Sequence, residues 1–288
     1  MSSDNQSRAV SPGEGTKLAL LEKENKALRA ELARVTKERI EYLQNVSHQL
    51  VAPLNAIKWH IENITSNRIG VERAKKVLRS IYSQATIAVH LAKNFALMSN
   101  LDADHALTAL KEPLQPVDVL ALVINLADDF QPLGWDKEIR ISVRNDSGLN
   151  GAPPILAMKP LVSQAFSNVI ENAVKYSQKG SEIVIDGAHH TKSEMISVTV
   201  QNRGIPLSAT DAIKIFERGH RTDEAKSLYP AGTGFGLYIA KRIVELHEGA
   251  ISATPTGDGA IFEIVLPISA LEGKARQRGS KDDSPYRR

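Results

Sequence analysis

Four side chains, Asn168, Asn172, Lys175 and Tyr176, recur at i, i+4, i+7 and i+8, so they share one face if residues 160–177 are helical. Val162, Phe166, Val169, Ile170 and Ala173 supply a separate apolar stripe for the core. Two amides, a cation and a phenol are costly to bury without partners. They suit an anionic ligand: amide oxygen for Mg²⁺, ammonium for phosphate, ring for a base. A solvated polar face is the plain alternative. Downstream, Gly232-Thr233-Gly234-Phe235-Gly236-Leu237 opens another helix, whose amides and positive dipole end can hold phosphate oxygens, although a lone glycine run is often only a turn. Between them, Val200-Gln201-Asn202-Arg203-Gly204-Ile205-Pro206 reads as a strand entering a turn, where a side-chain amide can accept from and donate to an adenine edge. Three partial signals in this order are stronger than any one.

The elements that must position these residues follow from periodicity. A helix from Asp118 to Pro132 and an alternating strand from Glu138 to Val143 precede the helix Pro160 to Ser177. Strands at Glu182 to Gly187 and Met195 to Val200 come next, then a Gly/Pro loop, a helix from Phe235 to Glu248 and a hairpin from Ala250 to Pro267. The mixture predicts an α+β sandwich with helices over a sheet. Upstream, residues 18–64 and 71–101 read as two long helices broken at Ser66-Asn67-Arg68-Ile69-Gly70. Such an antiparallel hairpin cannot bury its own stripe, so pairing two copies into a four-helix bundle is the simplest solution. Leu18, Leu21, Asn25, Leu28, Leu32 and Val35 trace a 3-4 seam ahead of it. With Leu28 and Val35 at d, Asn25 falls at a, where a buried amide fixes register in a parallel dimer.

Composition sets the limits. Apolar residues make up 42% and charged residues 24%, a globular balance, while 5% aromatics points to aliphatic packing. The absence of cysteine removes disulfides, thiolate metal sites and thiol nucleophiles, and suits a reducing, cytoplasmic setting. No apolar run approaches the roughly 20 residues a membrane helix needs. The net charge of +3 lies in the tail, since Gly273 to Arg288 holds six Lys/Arg and two Asp. A short basic end of that kind is more often solubilising than nucleic-acid-binding.

In this setting the chain resembles the ATP-binding domain of bacterial sensor histidine kinases, within the wider gyrase-like ATPase superfamily. Asn168 to Ser177 is similar to the family's asparagine box, Ile215-Phe216-Glu217-Arg218 to its phenylalanine box, and Gly232 to Leu237 to its second glycine box. The ending Glu248 to Ile251 and Phe262 to Pro267 resembles its closing hairpin. Asn45-Val46-Ser47-His48-Gln49-Leu50-Val51-Ala52-Pro53-Leu54 resembles the histidine box. The resemblance implies a helical-hairpin dimerisation domain plus an ATP-binding sandwich. Its expected divisions are a disordered N-terminus (1–15), a coiled-coil signalling helix (16–44), a dimerisation and phosphotransfer hairpin (45–107), a linker (108–116), a catalytic domain (117–269) and a basic disordered tail (270–288).

The same resemblance implies ATP and Mg²⁺ as cofactors, His48 as phosphoryl acceptor and a response-regulator receiver domain as partner. Asn172 would hold Mg²⁺, Asn168 and Lys175 would contact metal or phosphates, and Tyr176 would line the base. Gly232, Thr233, Gly234, Gly236 and Leu237 would form the phosphate-facing lid, with Asn202 and Gly204 at the first glycine box. Arg218, His220, Arg221 and Lys226 fall in that lid, as phosphate contacts or as a solvated loop. For the other seven histidines, His90 included, an ordinary structural role is expected. With no membrane span and no sensory region in the sequence, the expectation is either a separate sensory partner or a chain that is a fragment of a longer one.

Five substitutions, two of them in the first glycine box, depart from the family pattern. Gln49 replaces the acidic residue that takes a proton from the histidine, which predicts slow autophosphorylation. Val51 and Ala52 replace a basic residue and a Thr/Asn, which predicts weak phosphatase activity. Asn202 replaces the first glycine box aspartate, costing about fivefold in ATP affinity and relaxing base selectivity, and Pro206 replaces that box's second glycine. A hydrolytic clamp ATPase would carry Glu where Asn168 stands. A degenerate pseudokinase acting as a dimeric scaffold is the main rival.

Overall fold

The computed structural model describes residues 12–66, 70–101, 113–230 and 232–268. The chain divides into two compact units, Met1–Ser47 and His48–Arg288. Helix α1 (Pro12–Ser66) spans that division. It begins at Pro12, inside the stretch expected to be unstructured, with proline at the helix start, where its missing N–H costs nothing. In the first unit the seam residues Leu21, Leu28, Leu32 and Val35 are exposed in the single chain. The basic tail and most of the expected linker lie outside the described residues.

In the second unit α2 (Val71–Leu101) returns along the second half of α1, and the Ser80 hydroxyl meets His60 Nε2 at 2.8 Å. The globular module begins with β1 (Gln115–Val117), where the sequence predicted linker; it pairs antiparallel with β3 (Ile155–Ala157). Each has only three residues, too few for a periodic signal. Between them lie α3 (Val119–Trp135), capped by the Asp118 carboxylate on the Ala121 amide, and β2 (Arg140–Val143). Helix α3 continues through Pro132, where the sequence predicted its end. Tertiary ties outweigh the local breaker: Gln131 donates to the Ile139 carbonyl and accepts from the Ile141 amide, lashing the last turn to β2.

The remaining elements are α4 (Lys159–Tyr176), β4 (Glu182–His190), β5 (Met195–Arg203), α5 (Ala209–Lys214), α6 (Asp223–Leu228), α7 (Gly236–Leu246), β6 (Ala250–Thr256) and β7 (Gly259–Pro267). The short α5 and α6 occupy what the sequence reading left as loop. Five strands form one sheet in the order β2-β4-β5-β7-β6, parallel at β2–β4 and antiparallel elsewhere. Alternation decides the core. Ile183 and Ile185, Ile196, Val198 and Val200, and Phe262, Ile264 and Leu266 are buried on one face. They meet Val162, Phe166, Val169, Ile170 and Ala173 of α4 and Ile239, Ile243 and Val244 of α7, so the predicted stripe of α4 is the core stripe.

Candidate nucleotide-binding site

The polar face of α4 is fixed by what holds the end of that helix. Lys137 Nζ reaches the Val174 and Lys175 carbonyls at 3.2 and 2.6 Å, a cation at the negative end of the helix. Beyond Tyr176 the chain is joined to the end of β5: the Gln178 amide donates to Arg203 O at 2.8 Å, and the Ile205 amide to Tyr176 O at 3.2 Å. Gly204 sits at this junction because a Cβ there would overlap the Tyr176 carbonyl. The join brings two expected residues, Tyr176 and Asn202, to one cleft. Asn202 continues the buried row of β5 after Ile196, Val198 and Val200, so an amide ends an otherwise apolar file.

Across from α4 lies a folded lid. Thr222 caps α6 by accepting from the Ala225 amide at 3.2 Å. The Arg221 guanidinium donates to the carbonyls of Ala225, Tyr229, Pro230 and Gly232, at 2.6 Å to the first and 2.8 Å to the last. Arg221 is therefore a lid staple rather than a free phosphate contact. Lys226 pairs with Asp223 on the exposed side, and the Arg218 guanidinium stacks over Phe235. Gly234 has φ +71°, and a Cβ there would lie 2.8 Å from the Gly219 carbonyl, so the loop turns here only with glycine. Helix α7 then starts at Gly236 with no side-chain cap, leaving its first amides for another acceptor.

The cleft between these parts is an open cavity of about 150 Å³. Asn168, Asn172, Lys175, Tyr176, Asn202, Gly232, Thr233, Gly234, Gly236 and Leu237 all line it; Gly204 acts from behind, at the join. Ile205, Leu207, Ile215, Ala260 and Phe262 give it an apolar side suited to a base. Among the described residues, four buried side-chain atoms lack a hydrogen-bond partner, and three border this cleft: Asn168 Nδ2, His220 Nε2 and Arg221 Nε. Orphaned nitrogens concentrated around one cavity fit a ligand rich in acceptors. No cluster of three or more His, Asp or Glu that could cage a metal occurs among the described residues. The donor set fits Mg²⁺ held by the Asn172 amide oxygen together with phosphate and water oxygens.

Electrostatics agree. Burial pulls the Lys175 ammonium below its ordinary pKa, Glu171 opposes this, and Arg221 and Lys137 add to it. A desolvated cation whose nearest carboxylate, Glu171, is also paired with His90 gains from an incoming anion. Burial pushes the Tyr176 phenol up, with Arg221 opposing. Tyr176 meets Tyr229 of the lid edge to face at 5.7 Å, and Lys175 Nζ lies 5.1 Å from the Tyr229 ring centre.

His48 is exposed on α1 and is not among the lining residues, whereas its neighbour Gln49 is. Sequence reasoning missed the contribution of α2. His90, assigned an ordinary role, is buried against α4: its Nε2 meets Asn168 Oδ1 at 2.8 Å and Glu171 Oε2 at 2.7 Å, and its Nδ1 meets Gln164 Nε2 at 3.0 Å. Asn94 donates to Asn168 Oδ1 at 2.7 Å and accepts from Gln164 at 2.9 Å. Burial pushes the Glu171 carboxyl up, but His90 and Lys175 outweigh it and hold it below its usual range. The available signal was His90 and Asn94 standing one helical turn apart.

Residues 158–270 match the family described as histidine kinase-, DNA gyrase B-, and HSP90-like ATPase. The sensor histidine kinase WalK of Bacillus subtilis (strain 168) is 26% identical over 247 residues, covering 82% of this chain and 38% of that protein. The sensor-like histidine kinase SenX3 of Mycobacterium bovis is 26% identical over 239 residues, covering 83% of this chain and 56% of that protein. The chain thus spans 38% to 56% of the length of these curated relatives. Its fold is shared with full-length ShkA, solved with AMPPNP, at a TM-score of 0.53 and 24% identity over 79% of this chain and 45% of that one. Residues 158–270 are therefore similar to the histidine kinase-, DNA gyrase B- and HSP90-like ATPases, and over 82–83% of its length the chain is similar, at 26% identity, to proteins named as sensor histidine kinases.

Proposed function

We propose that the chain is an ATP-dependent protein-histidine kinase that phosphorylates itself on His48 and passes the phosphoryl group to an aspartate of a response-regulator receiver domain. It works as a homodimer. The observation that carries the reading is the single cleft in which the α4 face, the end of β5 and the glycine loop converge around buried, unpartnered nitrogens. Lys175 and the α7 amides face the phosphates, Tyr176 and Asn202 the base. Mg²⁺ on Asn172 would neutralise charge developing on the transferred group.

His48 is exposed, as an acceptor must be. Its neutral Nε2 attacks the γ-phosphorus; the N–P bond forms as the P–O bond to ADP breaks, and the Nδ1 proton leaves the ring. Gln49 can orient the ring but cannot accept that proton, which goes to solvent, so transfer is slow. Ala52 carries no group to position a water on a phosphorylated regulator, so phosphatase activity is weak. Leu54, Trp59, Ile61, Leu78 and Val89 are exposed on the hairpin and supply the surface for a second copy.

Incubation with γ-labelled ATP tests this. We expect acid-labile label on the wild type, none on His48→Ala, and labelling about tenfold faster or more on Gln49→Glu. A wild type that binds Mg·ATP but takes no label is a nucleotide-binding scaffold instead; one that binds no nucleotide overturns the reading.

A further inference from the structure

The lid meets the end of α4 through a side chain that the sequence reading did not single out. The Tyr229 amide closes α6 on the Ala225 carbonyl at 3.1 Å, and the Tyr229 carbonyl accepts from the Gly232 amide at 3.0 Å and from Arg221. With its backbone tied on both sides, the Tyr229 ring is set down on α4, where it meets the Tyr176 ring edge to face at 5.7 Å. Two ammonium groups lie against that one ring: Lys175 Nζ at 5.1 Å and Lys137 Nζ at 5.3 Å from its centre. An aromatic ring attracts cations, so Tyr229 partly offsets the repulsion between Lys137 and Lys175.

Lys137 holds two elements at once. The same Nζ that reaches Tyr229 also bonds the Val174 and Lys175 carbonyls in the last turn of α4. That turn carries Lys175 and Tyr176, which line the cleft, whereas Lys137 and Tyr229 are not among its lining residues. An edge-to-face partner fixes the tilt of the Tyr176 ring and so the face it offers a base. A ring beside Lys175 restrains a long, flexible side chain before phosphate arrives, which removes part of the ordering cost from binding.

We infer that Tyr229 and Lys137 are positioning residues for the nucleotide: acting through Tyr176 and Lys175, they hold the base-facing ring and the phosphate-facing ammonium in place and fasten the lid to the end of α4. The inference rests on the nucleotide-binding reading and adds two residues to it. Affinity for the nucleotide then depends on both residues, while the chemical step does not.

A double-mutant cycle on the full chain tests this, with Tyr229→Leu, Lys137→Met and the pair beside Tyr229→Phe. Affinity for Mg·AMPPNP is read by calorimetry, and KM and kcat by His48 labelling with γ-labelled ATP. Each single variant should weaken affinity and raise KM about three- to tenfold, with kcat within about twofold. The pair should lose little more than either alone, because each residue works through the other. Tyr229→Phe keeps the ring and should recover wild-type affinity. A lysine that served only to cap α4 would lose as much in the Tyr229→Leu background as in the wild type, and that additive result overturns the inference. So does unchanged affinity, or a loss in kcat alone, in a folded single variant. Melting curves identify a variant that has lost its fold, and the other single variant then decides. Calorimetry decides even where no label is taken up, so failure of the kinase reading is told apart. A wild type that binds no Mg·AMPPNP removes the nucleotide-binding reading and this inference together.

Discussion

The hairpin and the nucleotide module satisfy their apolar side chains in opposite ways. In the module, Phe166, Ile170, Ile183, Ile196, Ile239 and Ile264 are sealed between one sheet face and two helices. In the hairpin, Leu54, Trp59, Ile61, Leu78 and Val89 remain open in the single chain. The module carries its own packing energy, whereas the hairpin depends on something laid against it. A polar seam among His90, Asn94, Gln164, Asn168 and Glu171 lies where the two meet, with the Tyr82–Asp129 contact beside it. Because separation would trade each of these buried hydrogen bonds for bonds to water, each adds only about 1 kcal/mol net to the contact.

Substitutions on either side of this contrast should behave differently. Phe166→Ala should cost the module about 3–5 kcal/mol in denaturant unfolding. Trp59→Ala should change chain unfolding by no more than about 0.5 kcal/mol and should instead raise the dimer dissociation constant measured by sedimentation. Equal losses in both assays would break the contrast. Gly204→Ala should cost about 1–3 kcal/mol, since the added carbon must displace the Tyr176 carbonyl, and should weaken nucleotide binding through Tyr176 and Asn202 together. Asn202→Asp restores a charged acceptor at the cleft floor and should tighten ATP about fivefold while sharpening its preference over GTP, read by competitive displacement of a bound probe.

The smallest effect is in the pH response. His247 is buried, accepts from the Met158 amide on Nε2 at 3.1 Å, and donates from Nδ1 to the Ile243 carbonyl at 2.8 Å. Burial lowers its pKa from the usual 6.5, partly opposed by the Ile243 bond. The unfolded chain therefore binds this proton first as pH falls, so module stability is full above 6.5 and declines below it. His247→Gln should flatten that part of the melting-temperature profile. The Glu171 carboxyl, held low by His90, acts in a separate window, its contribution disappearing only as pH falls through and below the usual 4.5. A wild-type profile flat between pH 7 and pH 5 would count against the His247 account.

Much of the module was legible because its signals are periodic. The α4 stripe and face, the alternation of β4, β5 and β7, and the glycine loop each repeat over enough residues to be read locally. Strands β1 and β3, three residues each, exist by pairing with one another and leave no local pattern. Helix α3 outruns Pro132 because the Gln131 bridge to β2 is a tertiary contact. For the same reason the sequence could place residues along one cleft but not say which partners Asn168 and Arg221 hold. Which partner a side chain holds depends on segments far away in sequence, α2 for one and the lid carbonyls for the other.

The grip of Arg221 on four lid carbonyls has a mechanical consequence. A strand of loosely tethered backbone would admit a nucleotide by many small adjustments and release it through as many routes. Knotted by one guanidinium, the lid instead behaves as a stiff flap whose swing is one event, so ADP departure should follow a single exponential whose rate is set by that hinge.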